Sequence, residues 1–385
     1  MKKVCVVTAT RAEYGLLKPV IEGIMKSKQL ELQIVVTGAH LSPEFGMTYR
    51  EIEEDGFCIT EKIEMLLSSD SSVGITKSMA IALMGFADYF ERYRPNMVVI
   101  LGDRYESLAV AAAAMIAKIP LSHIHGGEIT QGAYDDAIRH SITKMSHLHF
   151  ASTEEYRRRI IQMGEQPERV YNVGALGVEN IKKISLWTKD ELENNLKFSF
   201  GEKMVMVTYH PVTLDEISSE VQLRNLLQVL DRYKDISVIF TKANADSNGR
   251  ILNKMIEEYV NKNKERCIAV TSLGQVRYLS AMQFCKAVVG NSSSGIIEAP
   301  SFHVPTVNIG NRQKGRISAN TVLHCGFECS EIEDCLLTAL SDEFQEKSKK
   351  WDNPYEGINT SQFIVKKIED ALREKIEVKK YFFDM

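Results

Sequence analysis

Short apolar runs alternate with longer stretches of helical spacing through the first half of the chain. The runs are Val4–Thr8, Leu32–Thr37, Met97–Leu101, Leu121–Ile124, Leu148–Ser152 and Val170–Val173. Between them, Ile75, Met79, Leu83, Phe86 and Phe90 step by three or four positions, which predicts a helix with one apolar face. Alanine-rich Ser107–Lys118 reads as a helix buried against a sheet. Runs without polar alternation fit strands covered on both faces, and strand–helix–strand order implies right-handed crossovers in a parallel sheet. The pattern lapses after Gly174-Ala175-Leu176-Gly177, through a polar stretch from Lys182 to Lys203. It resumes with Met204–Thr208, Ile236–Thr241, Cys267–Thr271, Ala287–Gly290 and Thr306–Ile309. The expectation is an α/β protein of two Rossmann-like domains, residues 1–175 and 176–361. A helical pattern at Phe363, Ile364, Ile368 and Leu372 predicts a C-terminal helix, about 362–385, that packs back on the first domain. Ligands of open parallel sheets bind beyond the carboxyl ends of the strands, so the two sheets are expected to face a central cleft with the functional motifs at strand ends.

Composition narrows this picture. The chain has 385 residues and 44% apolar content, enough for a core in each domain. A net charge of −4 argues against general nucleic-acid binding and leaves a small anionic ligand open. Seven scattered cysteines without a C-x-x-C pair read as a reduced, cytoplasmic protein rather than a disulfide framework or a metal site. Met1-Lys2-Lys3 leads straight into strand-like Val4–Val7, so neither a signal peptide nor a membrane span is expected.

The candidate chemistry sits at the predicted strand ends. Gly290-Asn291-Ser292-Ser293-Ser294-Gly295 follows a strand and precedes a helical pattern, an arrangement that offers backbone N–H groups and hydroxyls to a phosphate. Glu298, inside that expected helix, would repel phosphate and instead suits ribose hydroxyls. Gly102-Asp103-Arg104 delivers a carboxylate and a guanidinium after another strand; the alternative is that Asp103 caps the Ser107–Lys118 helix. Arg11 follows the first strand and is placed to pair with a phosphate or with surface carboxylates. Neither G-x-G-x-x-G nor a P-loop is present, which disfavours nicotinamide cofactors and ATP chemistry. In His123-Ile124-His125-Gly126-Gly127-Glu128 the two histidines alternate onto one side, and acid–base use of His125 or Glu128 is favoured over metal binding. The glycine pair there would let backbone approach a ligand. His147 and His149 read as structural. Asp135-Asp136 opens a helix either as a cap or as a catalytic carboxylate, and His210 and Arg312 end further strands. Tyr156-Arg157-Arg158-Arg159 reads as a solvated helix face.

These motifs, with Arg11-Ala12-Glu13-Tyr14, Val36-Thr37-Gly38-Ala39-His40, Asp135-Asp136-Ala137-Ile138-Arg139-His140, His210-Pro211 and Gly310-Asn311-Arg312-Gln313, occur in one order over nearly the whole chain. Together they resemble the hydrolysing UDP-N-acetylglucosamine 2-epimerases of sialic acid biosynthesis. The resemblance implies a glycosyltransferase-B type fold and conversion of UDP-N-acetylglucosamine and water into N-acetylmannosamine and UDP through 2-acetamidoglucal, without cofactor or metal. It implies UDP contacts from Arg11, Arg104, His210, Asn244, Ser292, Ser293, Glu298 and Arg312, acid–base roles for Asp103 and Asp135, and a homodimer or homotetramer. Some members carry glutamate where this chain has His125, so that role passes to His125, to Glu128 or to neither. The alternatives are a hydrolysing epimerase acting on a UDP-diacetamido-trideoxy sugar of the legionaminic acid route, a non-hydrolysing epimerase, a nucleotide-sugar sensor without turnover, and a glycosyltransferase.

Overall fold

The structure, a computed structural model, describes residues 1–385 except 68, 70, 131, 132, 213–216, 243–248 and 272. The chain divides into two compact units. The first comprises Met1–Glu128, Asp135–Asn180 and Tyr355–Met385; the second comprises Ile129–Tyr134 and Ile181–Pro354. The divisions thus fall at 180 and 354, against 175 and 361 from the sequence pattern. The helix at the start of the lapse, Leu176–Lys183, begins in the first unit, with Leu176, Val178 and Asn180 buried. The excursion of Ile129–Tyr134 had no sequence signal.

Seven parallel strands form the first sheet: β1 (Lys2–Thr8), β2 (Leu30–Thr37), β3 (Ile59–Ile63), β4 (Met97–Leu101), β5 (Leu121–Ile124), β6 (Leu148–Ala151) and β7 (Val170–Asn172), in the order β3-β2-β1-β4-β5-β6-β7. The second sheet contains β8 (Lys203–Thr208), β9 (Ile236–Thr241), β10 (Cys267–Val270), β11 (Ala287–Gly290), β12 (Thr306–Ile309) and β13 (Val322–Cys325), all parallel, in the order β10-β9-β8-β11-β12-β13. Both are doubly wound sheets. The order reverses between β1 and β4 in the first and between β8 and β11 in the second, and ligands of such sheets gather at the carboxyl ends beside that reversal.

The unbroken apolar runs are explained by cores on both faces. Val4 and Val6 face a cluster with Val20, Ile21 and Ile24 of the helix Arg11–Lys26, while Cys5 and Val7 face Phe86, Phe90 and Val110 on the other side. In the second unit Val205 and Val207 pack with Leu226 and Leu230, and Met204 and Met206 with Met282 and Val304. Each fully buried Val, Leu or Ile contributes about 1.5–3 kcal/mol. The helix Ser72–Tyr93 departs from its predicted stripe at one point. Leu83 is 38% exposed, and Ala82 and Tyr89 take the inner positions.

The C-terminal helix, Thr360–Arg373, belongs to the first unit and lays Ile364, Val365, Ile368 and Leu372 into the core beside the helix Arg11–Lys26. It ends twelve residues before the chain does; the remaining segment is irregular but anchored. The Phe383 N–H donates to the Gly164 carbonyl at 3.0 Å, and Lys380 Nζ reaches Glu165 Oε2 at 2.7 Å. His147 and His149 serve this anchor: His147 Nε2 bonds the Val378 carbonyl at 3.0 Å and His149 Nε2 bonds Glu165 Oε2 at 3.0 Å. Burial alone would raise the Glu165 carboxyl, but hydrogen bonds from His149, Lys144 and Lys380 outweigh it and hold the group down, from 4.5 to about 2. A depressed carboxylate contributes stability that is complete above the unfolded value and lost as pH falls through the folded one. Stability of the first unit is therefore expected to decline from pH 4.5 toward about 2. Glu165→Gln should flatten that decline in acid titrations followed by circular dichroism, and an unchanged acid limb would refute the assignment. Among the described residues, no helix is long and apolar enough to cross a membrane.

Candidate functional site

In the first unit, the β1 end turns into the helix Arg11–Lys26 through a capping box. The Thr10 hydroxyl accepts from the Glu13 N–H at 3.3 Å, and Glu13 Oε2 accepts from the Ala9 and Thr10 N–H groups at 2.7 and 3.2 Å. Arg11 is the first helical residue, and its Nη2 pairs with Glu51 Oε1 at 2.7 Å. Burial lifts the Glu13 carboxyl to about 7, opposed by the nearby Arg104 guanidinium and assisted by Glu106. At the β2 end, the buried His40 ring bridges the Thr8 and Thr48 hydroxyls at 3.0 and 2.9 Å. Burial brings that imidazole down to about 4, so it is neutral at physiological pH.

At the β4 end, the helix Tyr105–Ile116 takes Arg104, not Asp103, as its N-cap residue, and no side chain caps it. Asp103 is instead ion-paired with Arg139, whose side chain is 3% exposed. Arg139 lies four residues, about one turn, beyond Asp135 in the helix Asp135–Met145. The aspartate that the alternative reading made a cap for one helix is thus fastened to another, and the same helical face carries Asp135 at its first turn. Arg104 is clamped by a fork: its Nε and Nη2 donate to the two oxygens of buried Glu106, each at 3.1 Å. This fork sets the guanidinium plane.

The histidine motif at the β5 end is more deeply engaged than its sequence implies. His123 is fully buried and its Nε2–H donates to the Gly102 carbonyl at 2.7 Å. Burial drives this imidazole down to about 3, so it supports the Asp103 turn as a neutral ring. His125 sits at φ +63°, a left-handed conformation uncommon for a side chain of this size. Its Nε2 accepts the Leu176 N–H at 3.4 Å, which leaves Nδ1 to carry the proton toward Glu128 Oε1 at 3.8 Å. Glu128, 2% exposed, also accepts from the Ser152 hydroxyl at 2.8 Å. The glycine pair serves packing: a Cβ at Gly126 would lie 3.0 Å from His123 Nδ1, and one at Gly127 would lie 2.5 Å from the Tyr156 carbonyl oxygen.

In the second unit, Asn291 is the organising residue. It is fully buried; its Oδ1 accepts the His210 N–H at 2.7 Å and its Nδ2 donates to the His210 carbonyl at 2.9 Å. Its own carbonyl accepts from Arg312 Nη1 at 3.2 Å and Gln313 Nε2 at 2.8 Å. One asparagine thus gathers the ends of β8, β11 and β12, and with them His210, Ser292 and Arg312. Ser292 caps a helix of only five residues, Ser293–Ile297, its hydroxyl accepting the Ser294 N–H at 3.3 Å. Glu298 is therefore the C-cap of this turn, not an interior residue, because Pro300 prevents the helix from continuing. With so short a helix, local N–H groups and hydroxyls outweigh any long dipole. Asn244 lies outside the described residues. Arg316 Nε donates to the Ile129 carbonyl at 2.8 Å and Nη2 to the Thr130 hydroxyl at 3.3 Å, contacts within the second unit.

Arg139, Glu106, Asn291 and Arg316 were not chosen from the sequence. The four-residue spacing of Asp135 and Arg139 was a usable signal; the partners of Glu106, Asn291 and Arg316 are not fixed by spacing.

Residues 22–369 match a family described as UDP-N-acetylglucosamine 2-epimerase. The chain is 46% identical over 90% of its length, and 89% of the relative's, to a GDP/UDP-N,N′-diacetylbacillosamine 2-epimerase (hydrolyzing) of Campylobacter jejuni. It is 38% identical over its whole length, and 98% of the relative's, to the polysialic acid biosynthesis protein P7 of Escherichia coli. Its fold resembles the crystal structure of UDP-GlcNAc 2-epimerase from Neisseria meningitidis bound to UDP-GlcNAc. The TM-score is 0.80 at 20% identity, covering 96% of this chain and 100% of that one, and it supports a glycosyltransferase-B type fold.

Proposed function

Because the chain belongs to the UDP-N-acetylglucosamine 2-epimerase family, we propose that it is a hydrolysing 2-epimerase whose substrate is UDP-N,N′-diacetylbacillosamine. The sugar assignment is carried by the 46% identity to the Campylobacter jejuni enzyme over 90% of this chain. It displaces UDP-N-acetylglucosamine, the leading expectation from the motifs, in favour of the diacetamido-trideoxy alternative.

The reaction begins with loss of UDP across C1–C2, giving a 2-acetamido glycal. The C2 proton is barely acidic, so cleavage of the C1–O bond must run ahead and build positive charge on the sugar. Groups that stabilise the departing diphosphate lower this barrier. Ser292, Ser293, His210 and Arg312 are assigned that task, with Glu298 on the ribose hydroxyls and Arg11 and Arg104 as further counter-charges. Asn291 fixes the first set and Glu106 orients Arg104. Asp103 and Asp135 are assigned the proton transfers at C2, one removing the proton and the other returning it to the opposite face as water adds to C1. Arg139, ion-paired with Asp103, holds that side chain in place. His125 and Glu128, buried against each other, are assigned a positioning role at the Asp103 end. The net change, UDP-sugar plus water to UDP plus C2-inverted free sugar, is redox-neutral.

The test is proton NMR in D₂O with UDP-N,N′-diacetylbacillosamine and UDP-N-acetylglucosamine in separate reactions. The expected result is free UDP released in step with a C2-inverted, C2-deuterated sugar, faster from the diacetamido substrate. Faster turnover of UDP-N-acetylglucosamine would overturn the sugar assignment. Product that retains UDP would overturn hydrolysis, and tight binding without turnover would make the protein a sensor.

A further inference from the structure

We propose that Cys325 and Cys335 form a redox-active dithiol, a modification site at which a hydroperoxide converts the two thiols into a disulfide. All seven cysteines are free. Cys5, Cys267 and Cys285 are buried, and burial pushes each thiol up, Cys5 to about 12 and Cys267 to about 11. Such thiols are poor nucleophiles. Cys329 Sγ turns toward the Asn225 carbonyl at 3.7 Å and Gln228 Oε1 at 3.5 Å.

Cys325 and Cys335 differ from these. Cys325 closes β13 in register with Ile309, and its carbonyl accepts the Gly310 N–H at 2.8 Å, so its backbone is pinned. Cys335 lies on the helix Cys329–Leu340, which packs against β13. Its Sγ is 3.9 Å from the His324 carbonyl, one peptide bond from the Cys325 Cα, and the Cys325 Sγ is 3.8 Å from the Asn308 carbonyl. The two thiols are near enough to influence each other's protonation. That interaction lowers the Cys335 thiol, despite burial and the repulsive carboxylates of Asp334 and Glu331 around it, and raises Cys325. Both residues are half-buried, open to a small oxidant.

The chemistry balances with a peroxide. The Cys335 thiolate attacks one peroxide oxygen, the O–O bond breaks, and a sulfenic acid and, after protonation, water result. Cys325 sulfur then attacks the Cys335 sulfur, the S–O bond breaks, and a second water leaves with the Cys325 proton. Two thiols lose two electrons and two protons, and hydrogen peroxide is reduced to two waters.

The experiment treats the full-length protein with hydrogen peroxide, blocks remaining thiols, digests with a protease that cleaves after glutamate, and maps peptides without reduction. Cleavage after Glu328 and Glu331 separates Cys325, Cys329 and Cys335. The expected product is a Cys325–Cys335 cross-link that dithiothreitol reverses. Cys329→Ser should retain it, and Cys325→Ser should leave Cys335 to proceed to the sulfinic acid. Wild-type protein in which Cys335 is over-oxidised while Cys325 remains alkylatable, or in which Cys329 supplies the cross-link, would overturn the proposal. Because the wild-type map decides the matter, a variant that folds poorly does not.

Discussion

Asp103→Asn is expected to lower kcat by about 10²–10⁴-fold, the range that a lost general acid–base group contributes, with UDP affinity nearly unchanged. Asparagine keeps the size and one acceptor oxygen of the aspartate but cannot take or give the proton. The side chain has no competing structural duty as a helix cap, because Arg104 occupies that position. It does have a duty toward Arg139, a buried guanidinium that loses its anionic partner in the variant. Removing one member of such a pair carries a stability cost of roughly 3–5 kcal/mol when the other stays buried and charged, and less where asparagine still accepts a hydrogen bond. Steady-state kinetics with separate UDP titration and thermal unfolding distinguish the two duties. Wild-type kcat in a folded Asp103→Asn protein would remove Asp103 from the chemistry.

Gly290→Ala is expected to destabilise the second unit by more than about 4 kcal/mol, in the class of severe steric and backbone lesions. Gly290 ends β11 directly opposite Thr208 of β8, at φ +134°, where an L side chain is strained. An added Cβ would lie 2.0 Å from the Thr208 carbonyl oxygen, and that oxygen already accepts the Asn291 N–H at 3.2 Å. Relief therefore requires separating two central strands or displacing Asn291, and with it His210 and Arg312. Denaturant unfolding of the purified variant, followed by a probe in the second unit, gives the magnitude. A variant with the wild-type midpoint would show that the close approach of β11 to β8 is not required.

Most of the sheet architecture was legible because central parallel strands are buried on both faces and so cannot be polar. The two strands that escaped notice, β3 and β13, lie at sheet edges. Ile59-Thr60-Glu61-Lys62-Ile63 and Val322-Leu323-His324-Cys325 mix polar and apolar residues because one side of each strand has no partner. The glycine–serine turn was visible as a motif, but the five-residue length of its helix depended on Pro300 and moved Glu298 to the C-cap.

Periodicity and motif order in the chain were sufficient to establish two parallel α/β sheets, the strand-end positions of Arg11, Asp103, His210 and Ser292, and the family. Those properties are local, or repeat along the chain, and survive without knowledge of long-range neighbours. The tertiary structure alone decided that Arg139 holds Asp103, that Glu106 orients Arg104, that Asn291 joins three strand ends, and that residues 129–134 leave the first unit. Each is a hydrogen-bond pairing or packing choice among many residues of like chemistry, and only the folded chain brings one candidate within reach.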